Sequence, residues 1–366
     1  MKIFNAHENG KLSVTSKEVI TQETLGIVYT PGVAQVCKHI ADDVTQARKY
    51  TVNGNLIAVV SDGTAVLGLG DIGPQASLPV MEGKAALFKQ LAGLNAIPLV
   101  LDTKDTQEII DTIVRVAPTF AGINLEDISA PRCFEIEREL QKRLDIPVFH
   151  DDQHGTAIVV MAGLLNALQV VGKQMSGVRV VINGAGAAGL AIARLLQHAG
   201  VTSITVCDSK GPIYAGRESM NAEKTDVATF CEKHDNLSDA LVGADVFIGV
   251  STGNVLTAEH VKSMDNAIIF ACANPVPEIM PDVAVAAGAQ VVATGRSDFV
   301  NQVNNVLVFP GLFKGLLACP QPITSDLKMK VAQAIASTVT PSKDCILPLA
   351  LNTDVPLAIK EALCVE

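Results

Sequence analysis

The sequence predicts an α/β protein with two parallel-sheet domains, and three observations carry that prediction. Short apolar runs alternate with helix-like segments along most of the chain, which is the pattern of strands joined by crossover helices. The composition, 48% hydrophobic with 28 Gly but only 4% aromatic and no Trp, is typical of buried Val/Ala/Leu-rich strands rather than of an all-β protein. A length of 366 residues allows two domains with a core each.

Four apolar runs predict the strands of the first sheet. They are residues 56–60, 97–101, 119–125 and 147–149. Helix-like segments, such as residues 81–93 and 106–116, lie between them. Each run leads into an acidic residue, and in open α/β sheets the carboxyl edge of parallel strands is where ligands bind. We therefore expect a binding site at that edge.

Four carboxylates follow two of these strands. FAGINLED ends in Glu126 and Asp127, and PVFHDDQHG contains Asp151 and Asp152. Four acids at one edge repel one another unless a cation or a proton is shared among them, and hard oxygen ligands suit Mg²⁺ or Mn²⁺. The alternative is that they are helix N-caps and solvated turns. Two adjacent pairs favour the metal site.

The second half of the chain repeats the pattern. A long apolar helix over residues 155–173, with Gly172 as its stop signal, joins the two halves. Further strands are then predicted over residues 179–183, 203–208, 246–251, 267–274 and 290–295. After residue 305 the pattern becomes helical again.

A glycine-rich hexapeptide predicts what the second domain binds. It comprises Gly184, Ala185, Gly186, Ala187, Ala188 and Gly189. It lies between a strand and a helix, and Asp208 ends the next strand, where an acid that binds a ribose belongs. The glycines let the backbone approach a pyrophosphate at a helix N-terminus. This pattern predicts a Rossmann-type dinucleotide-binding domain; the alternative is a tight turn without a ligand.

A second match to the same hexapeptide, residues 68–73, lacks this context. It runs into Pro74 and Pro79 rather than into a predicted helix, and Asp102 lies too far along the chain. We interpret it as a flexible loop that lines a pocket.

Charge and cysteine content narrow the class of protein. A net charge of −10 argues against a general nucleic-acid or anionic-membrane surface. The eight cysteines include no C-x-x-C pair, and the N-terminus lacks the apolar core of a signal peptide. We therefore expect reduced, mostly buried thiols and a cytoplasmic protein.

Two side chains are candidates for acid–base chemistry. Tyr29 lies in a Thr-Pro-Gly turn, and Lys84 lies among small and apolar neighbours, where poor hydration would lower its pKa towards that of a base. His150 and His154 flank the Asp pair and are interpreted as helix-start hydrogen bonders.

Asn274 and the pair Asn304–Asn305 lie at further predicted turns. Their amides either bind a carboxylate or carboxamide or form Asx turns, and the residues alone do not decide between the two.

Taken together, these segments resemble the malic enzyme family, and specifically its short bacterial members. The motifs that carry the resemblance are YTPGVA (29–34), SDGTAVLGLGDIG (61–73), MEGKAALF (81–88), INLEDI (123–128), FHDDQHGTA (149–157), INGAGAAG (182–189), CDSKG (207–211), ANPVPEI (273–279) and NNVLVFPG (304–311). They follow the family order across about 290 residues.

The resemblance implies a role for each candidate. Glu126, Asp127 and Asp152 would hold the divalent metal. Lys84 would be the general base, Tyr29 the general acid and Asp151 a supporting residue. Asn274 and Asn304 would face the nicotinamide end of the cofactor and the substrate. Residue 65 is Ala where larger members carry an arginine that binds a substrate carboxylate.

The implied reaction is oxidative decarboxylation of malate to pyruvate with NAD⁺, or NADP⁺, and Mg²⁺ or Mn²⁺. Asp208 favours NAD⁺ because a 2′-phosphate there would meet like charge. The nearest alternative is a metal-dependent oxaloacetate decarboxylase without a redox step; a non-catalytic nucleotide sensor is a third hypothesis. We expect a catalytic domain over residues 1–155, a nucleotide domain over 156–305, a C-terminal helical segment over 306–366 that packs back on both, and a homodimer.

Overall fold

The computed structural model describes residues 2–66 and 68–365. The chain begins with four short helices: α1 (Lys2–Asn5), α2 (Leu25–Val28), α3 (Val33–Asp42) and α4 (Ala47–Tyr50). None of them contains a buried residue. These four helices therefore contribute no buried side chain to the core, and Leu12, between α1 and α2, packs against the core partly buried.

The first sheet is the one that the apolar runs predict. Its strands are β1 (Leu56–Ser61), β2 (Asn95–Val100), β3 (Gly122–Leu125) and β4 (Val148–His150). They pair in the order β2-β1-β3-β4, and every pair is parallel. The helices of this half are α5 (Pro74–Leu87), α6 (Thr106–Val116) and α7 (Arg132–Arg143). All four strands therefore end at the same edge.

The glycine loop at residues 68–73 leads directly into a helix, and our expectation to the contrary was wrong. Helix α5 begins at Pro74 and contains Pro79. Proline is well tolerated at the first helical position because the N–H that it lacks would have no partner there.

Helix α8 (Thr156–Val171) joins the two halves of the molecule. A π-helical turn over Asp151–Gly155 precedes it, and Gly172 ends it in the left-handed conformation at φ 71°. The combined segment Asp151–Val171 has the length and apolar composition of a membrane span, but 67% of its most apolar stretch is buried inside the protein. It is the central core helix.

The second sheet has six strands. They are β5 (Arg179–Asn183), β6 (Ser203–Asp208), β7 (Gly211–Ile213), β8 (Val246–Gly249), β9 (Ile268–Ala271) and β10 (Val291–Thr294), in the order β10-β9-β8-β5-β6-β7. Its helices are α9 (Ala187–His198), α10 (Ala222–Ala228), α11 (Leu237–Leu241), α12 (Ala258–Ser263) and α13 (Pro281–Ala286). The strand order reverses between β5 and β8, which is the switch point where dinucleotides bind. Strand β7, which we did not predict, is antiparallel.

Three helices complete the chain: α14 (Phe309–Ala318), α15 (Ser325–Ala336) and α16 (Val355–Cys364). Gly311 and Gly315 let α16 approach α14 closely, since a Cβ on either would lie 2.7 Å from an α16 side chain. Cys319 and Cys364 form a disulfide between these two helices, which corrects the expectation that all eight cysteines are reduced thiols.

One aromatic cluster ties α14 to the first sheet. Phe88 lies 4.7 Å from Phe309 and 5.5 Å from Phe313, and Phe149 lies 6.3 Å from Phe313, measured between ring centroids. These four rings are fully buried. They fix the position of the carboxyl ends of α5 and β4, where the site residues lie.

Candidate active site

The carboxyl ends of both sheets face one cavity of about 770 Å³. Lys84, Glu126, Asp127 and Asp152 line it from the first sheet, and Ala188, Val250, Asn274, Asn304 and Asn305 line it from the second half. Gly68 lies in the cavity wall, so the second glycine loop does line a pocket. The three predicted metal ligands therefore share one space with Ala188, Asn274 and Asn304 of the predicted nucleotide site.

Glu126, Asp127 and Asp152 form the carboxylate cluster of the cavity. One ligand oxygen from each lies within 4.8 Å of the others. The backbone N–H of Asp127 donates to Oδ2 of Asp152 at 2.8 Å, and Asp127 adopts a φ of 54°. A left-handed conformation in a residue other than glycine is costly and is concentrated at functional sites.

The electrostatics of this cluster fit a divalent cation. Burial, followed by repulsion from the neighbouring acids, raises the pKa of Asp127 to about 9. Burial also raises the pKa of Glu126 to about 7 and that of Asp152 to about 6. Oδ2 of Asp127 is buried without a hydrogen-bond partner. Three oxygen donors that resist ionisation without a counter-charge are a suitable ligand set for Mg²⁺ or Mn²⁺.

Lys84 is the buried cation of the site. It forms ion pairs with Asp151 and Glu126, and its Nζ lies 4.5 Å from the ring centroid of Phe309. Burial by itself would lower the pKa of Lys84, but the charges of Asp151 and Glu126 outweigh it and raise the pKa. The expectation that the pKa of Lys84 is lowered was therefore wrong for the protein without bound ligands. The sequence does not reveal that the carboxylates of Glu126 and Asp151 both contact Nζ of Lys84.

Asp151 lies behind Lys84 and is fully buried. Gly155 provides the space for it, since a Cβ on Gly155 would lie 1.8 Å from Oδ1 of Asp151. The π-helical turn thus directs Asp151 to the lysine, while Asp152 lies in the carboxylate cluster.

The glycine turn of the second sheet packs as its motif requires. A Cβ on Gly189 would lie 1.7 Å from the carbonyl oxygen of Gly184, and Gly184 has a φ of 126°. Gly186 caps helix α9, which starts at Ala187, and Ala188 lines the cavity. The N-terminus of α9 therefore offers free backbone N–H groups beside the cavity, as a phosphate site needs.

Asp208 does end β6, but its carboxylate is already paired. Nη2 of Arg217 donates to both oxygens at 2.8 and 3.0 Å, and Nζ of Lys224 donates at 2.7 Å. Burial would raise the pKa of Asp208, whereas these hydrogen bonds hold it at about 2. The hairpin through β7 brings Arg217 to Asp208 across nine residues of sequence.

Asn274 and Asn304 are placed differently at the cavity. The amide of Asn274 lies at 3.4 Å from the carbonyl oxygen of Cys272, so it is only weakly engaged. Oδ1 of Asn304 accepts from the backbone N–H of Val306 at 3.0 Å and thus starts a short helical turn. Asn304 forms a local cap in the structure, and Asn274 is the freer of the two amides.

Comparison with known families agrees with this geometry. The family models described as "Malic enzyme, N-terminal domain" and "Malic enzyme, NAD binding domain" match residues 8–110 with 103–141 and residues 153–354. Together the matches span most of the chain.

The chain belongs to the malic enzyme family.

This family member is similar to three bacterial relatives over 77–89% of their lengths. It is 54% identical to the bifunctional malic/malolactic enzyme of Bacillus subtilis, over 97% of this chain and 89% of the relative. It is 51% identical to an NAD-dependent malic enzyme of Geobacillus stearothermophilus, over 99% of this chain and 77% of the relative. It is 50% identical to an NADP-dependent malic enzyme of Halomonas elongata, over 89% of this chain and 78% of the relative.

Solved structures of the family have the same fold. The NAD-dependent malic enzyme of Thermotoga maritima superposes with a TM-score of 0.96 at 45% identity, covering 98% of each chain. The malic enzyme of Pyrococcus horikoshii gives a TM-score of 0.95 at 44% identity, over 99% of this chain and 89% of the neighbour. The chain is therefore an enzyme of α/β fold whose relatives use NAD or NADP.

Of the three predicted catalytic residues of this malic enzyme family member, Lys84 lines the cavity and Asp151 lies behind Lys84. Tyr29 does not line the cavity. It follows helix α2, and 65% of the residue is exposed. Among the described residues of the N-terminal segment, His7 and Lys11 line the cavity.

Several residues that support the site were missed in the sequence. Glu278 is fully buried, and its two oxygens accept from the backbone N–H groups of Ala273 and Ser251, which follow β9 and β8. Glu137 likewise accepts hydrogen bonds from the turn that carries Asp151 and Asp152. A lone glutamate carries no sequence signal for such contacts.

The two histidines beside the Asp pair behave differently. Nδ1 of His150 accepts from the backbone N–H of Gln153 at 3.3 Å, as expected for a helix start. His154 instead lies between Glu137 and Lys328, at 2.8 and 3.0 Å. The expectation for His154 was wrong because its partners come from two distant helices.

Proposed function

We propose that this chain oxidatively decarboxylates L-malate to pyruvate and CO₂, reduces NAD(P)⁺ and uses Mg²⁺ or Mn²⁺ at Glu126, Asp127 and Asp152. The observation that carries the proposal is that this carboxylate cluster and the buried Lys84 share one cavity with the N-terminus of α9. We assign substrate and metal binding to residues 1–155, nucleotide binding to 156–305 and a supporting role to 306–366.

Each residue then has a task set by its position. The bound cation would supply positive charge that stabilises negative charge on the substrate oxygens. Lys84, in its neutral form, would accept the proton of the C2 hydroxyl as hydride passes from C2 to NAD(P)⁺. A cation held at Glu126 would offset one of the two carboxylate charges that raise the pKa of Lys84. Asp151 holds Lys84 in place through their ion pair. The Ala187–Ala188 end of α9 binds the pyrophosphate through backbone N–H groups.

We propose that the enzyme works as a homodimer. More than half of the exposed large hydrophobic side chains among the described residues lie between residues 3 and 52. An apolar surface of that extent is typical of a protein–protein interface. The exposed position of Tyr29 within this surface supports a second copy that brings Tyr29 to its partner's cavity, where it would protonate C3 of the enolate.

We propose NAD⁺ as the preferred cofactor, with NADP⁺ accepted. The carboxylate of Asp208 repels a 2′-phosphate, but Arg217 and Lys224 partly neutralise that charge. Names of relatives include both NAD- and NADP-dependent enzymes and do not decide the question.

Two parallel assays test the proposed reaction. NAD(P)⁺ reduction is followed with L-malate and Mn²⁺, and CO₂ release is followed from oxaloacetate alone. We expect reduced cofactor with malate. CO₂ release from oxaloacetate without any malate-dependent reduction would instead identify a decarboxylase without a redox step. Lactate is measured in the same samples, since the Bacillus subtilis relative is named malic/malolactic.

A further inference from the structure

Glu137 on helix α7 is a buried carboxylate behind the carboxylate cluster. It is 5% exposed. Its Oε1 accepts from the backbone N–H of His150 at 2.9 Å, and its Oε2 contacts Nε2 of Gln153 at 3.2 Å and Nε2 of His154 at 2.8 Å. One side chain therefore binds three residues of the turn that carries Asp151 and Asp152.

The direction of each hydrogen bond is determined by its partner. The backbone N–H of His150 and the amide nitrogen of Gln153 can only donate. Nδ1 of His154 accepts from Nζ of Lys328 at 3.0 Å, so Nε2 carries the ring proton and donates to Glu137. Three donors converge on Glu137, and only a carboxylate accepts all three.

The turn needs such an anchor because of the charges on its other side. Asp151 and Asp152 lie opposite Glu126 and Asp127. One oxygen each of Glu126, Asp127 and Asp152 lies within 4.8 Å of the others, and carboxylates that close repel one another when they are ionised. The hydrogen bond from the backbone N–H of Asp127 to Asp152 joins the two segments, as do the ion pairs of Lys84 with Glu126 and Asp151. Glu137 holds the same turn from behind, on both sides of Asp152.

We propose that Glu137 is a positioning residue that sets Asp152 for the divalent cation, acting through His150, Gln153 and His154. The proposal rests on the metal site in the proposed function. Lys328 on α15 completes the arrangement by fixing the ring of His154. Residues that hold a metal ligand from behind typically change metal affinity by ~10–100-fold when they are replaced.

The test measures Mn²⁺ binding, rather than turnover, in the full chain. The Mn²⁺ dissociation constant is determined by electron paramagnetic resonance for wild type, Glu137→Gln and the matched control Glu139→Gln. Glu139 lies on the same helix, where it pairs with Lys142 at 2.8 Å away from the turn. The NADH dissociation constant is measured alongside. We expect Mn²⁺ affinity to fall at least ~10-fold in Glu137→Gln only, with NADH affinity within twofold of wild type.

The conservative variant Glu137→Asp covers the case in which Glu137→Gln does not fold. Its shorter side chain keeps the charge but cannot reach all three donors, so we expect a ~3–10-fold loss of Mn²⁺ affinity. Unchanged Mn²⁺ affinity in a folded Glu137 variant, or an equal loss of Mn²⁺ and NADH affinity, would overturn the proposal. Wild type that binds no Mn²⁺ would instead show that the proposed metal site itself is wrong.

Discussion

Asp127 combines a strained backbone, a raised pKa and a buried oxygen without a partner in one residue. Each feature is costly in the protein alone, and all three are explained if Asp127 binds a cation. A carboxylate that resists ionisation becomes a stable anion once a divalent charge lies beside it.

Replacing Asp127 with Asn removes one charge from the carboxylate cluster with little change in shape. We expect malate-dependent activity to fall by about 100-fold or more, with at most partial rescue by excess Mn²⁺. Activity is titrated against Mn²⁺ for wild type and variant. Near-normal activity at ordinary Mn²⁺ concentration would remove Asp127 from the ligand set.

Lys84 and Tyr29 are expected to fail at different steps. Lys84→Ala should reduce hydride transfer from malate by about 100- to 10,000-fold, because the hydroxyl proton then has no acceptor. Tyr29→Phe should be most impaired in the tautomerisation of enolpyruvate. Both steps are measured for both variants. A Tyr29→Phe enzyme that lost hydride transfer but kept tautomerisation would contradict these assignments.

At the scale of single elements, the hairpin of β6 and β7 determines the surroundings of Asp208. It turns the chain so that Arg217 and Lys224 contact the carboxylate at the end of β6. The negative charge of Asp208, which would repel a 2′-phosphate, therefore lies beside the positive charges of Arg217 and Lys224, which would attract one.

The cofactor preference of three enzymes tests this arrangement. We expect wild type to favour NAD⁺ modestly in kcat/KM. Arg217→Ala should raise the NAD⁺/NADP⁺ ratio because it removes a cation beside the 2′ position, and Asp208→Ser should lower it. A wild-type preference for NADP⁺ would refute the NAD⁺ proposal, and a ratio unchanged in both variants would show that another residue sets it.

Much of this arrangement was predictable because strand ends and glycine motifs are local signals. The acid pairs follow β3 and β4 directly, and the glycine turn lies between β5 and α9. The alternation of strands and helices along the sequence is therefore enough to place these residues at the edges of the sheets. Helix α6 was predicted with its observed bounds, Thr106–Val116, and in the structure the side chain of Asp105 caps its first turn.

Contacts between distant segments were not predictable. Arg217 reaches Asp208 only through an antiparallel strand of three residues, and Glu137 reaches His154 across the edge of the first sheet. Cys319 and Cys364 are separated by 45 residues without a spacing motif. Pro74 was misread because proline either breaks or starts a helix, depending on its position.

At the scale of the whole molecule, the N-terminal segment is the part whose apolar side chains remain exposed in a single chain. None of its four helices contains a buried residue, and Val28, Tyr29 and Val36 are exposed along it. A second copy would cover this surface and would place Tyr29 near a cavity.

Light scattering tests the assembly. We expect a particle of at least twice the 38.4 kDa chain mass at micromolar concentration, because the apolar N-terminal segment needs a partner. A particle of one chain mass at that concentration would rule out the dimer.

Mixing of two variants that are defective in different steps tests whether Tyr29 acts in the partner's cavity, with formation of pyruvate from malate as the readout. Tyr29→Phe and Lys84→Ala are combined after dissociation and reassociation. A mixed dimer would contain one cavity with both side chains intact, so activity should recover to about a quarter of wild type when chains pair at random. No recovery, despite mixed dimers seen by mass spectrometry, would place Tyr29 in its own chain's site.

The most direct test of the central claim is the transfer of label from malate to the cofactor. Malate deuterated at C2 is incubated with the enzyme, Mn²⁺ and NAD⁺, and the reduced cofactor is analysed by mass spectrometry. The proposed mechanism predicts one deuterium in each NADH formed, one pyruvate for each NADH, and almost no labelled NADH with Lys84→Ala. Pyruvate and CO₂ formed from oxaloacetate, with no labelled cofactor from malate, would contradict the claim that this enzyme oxidises malate.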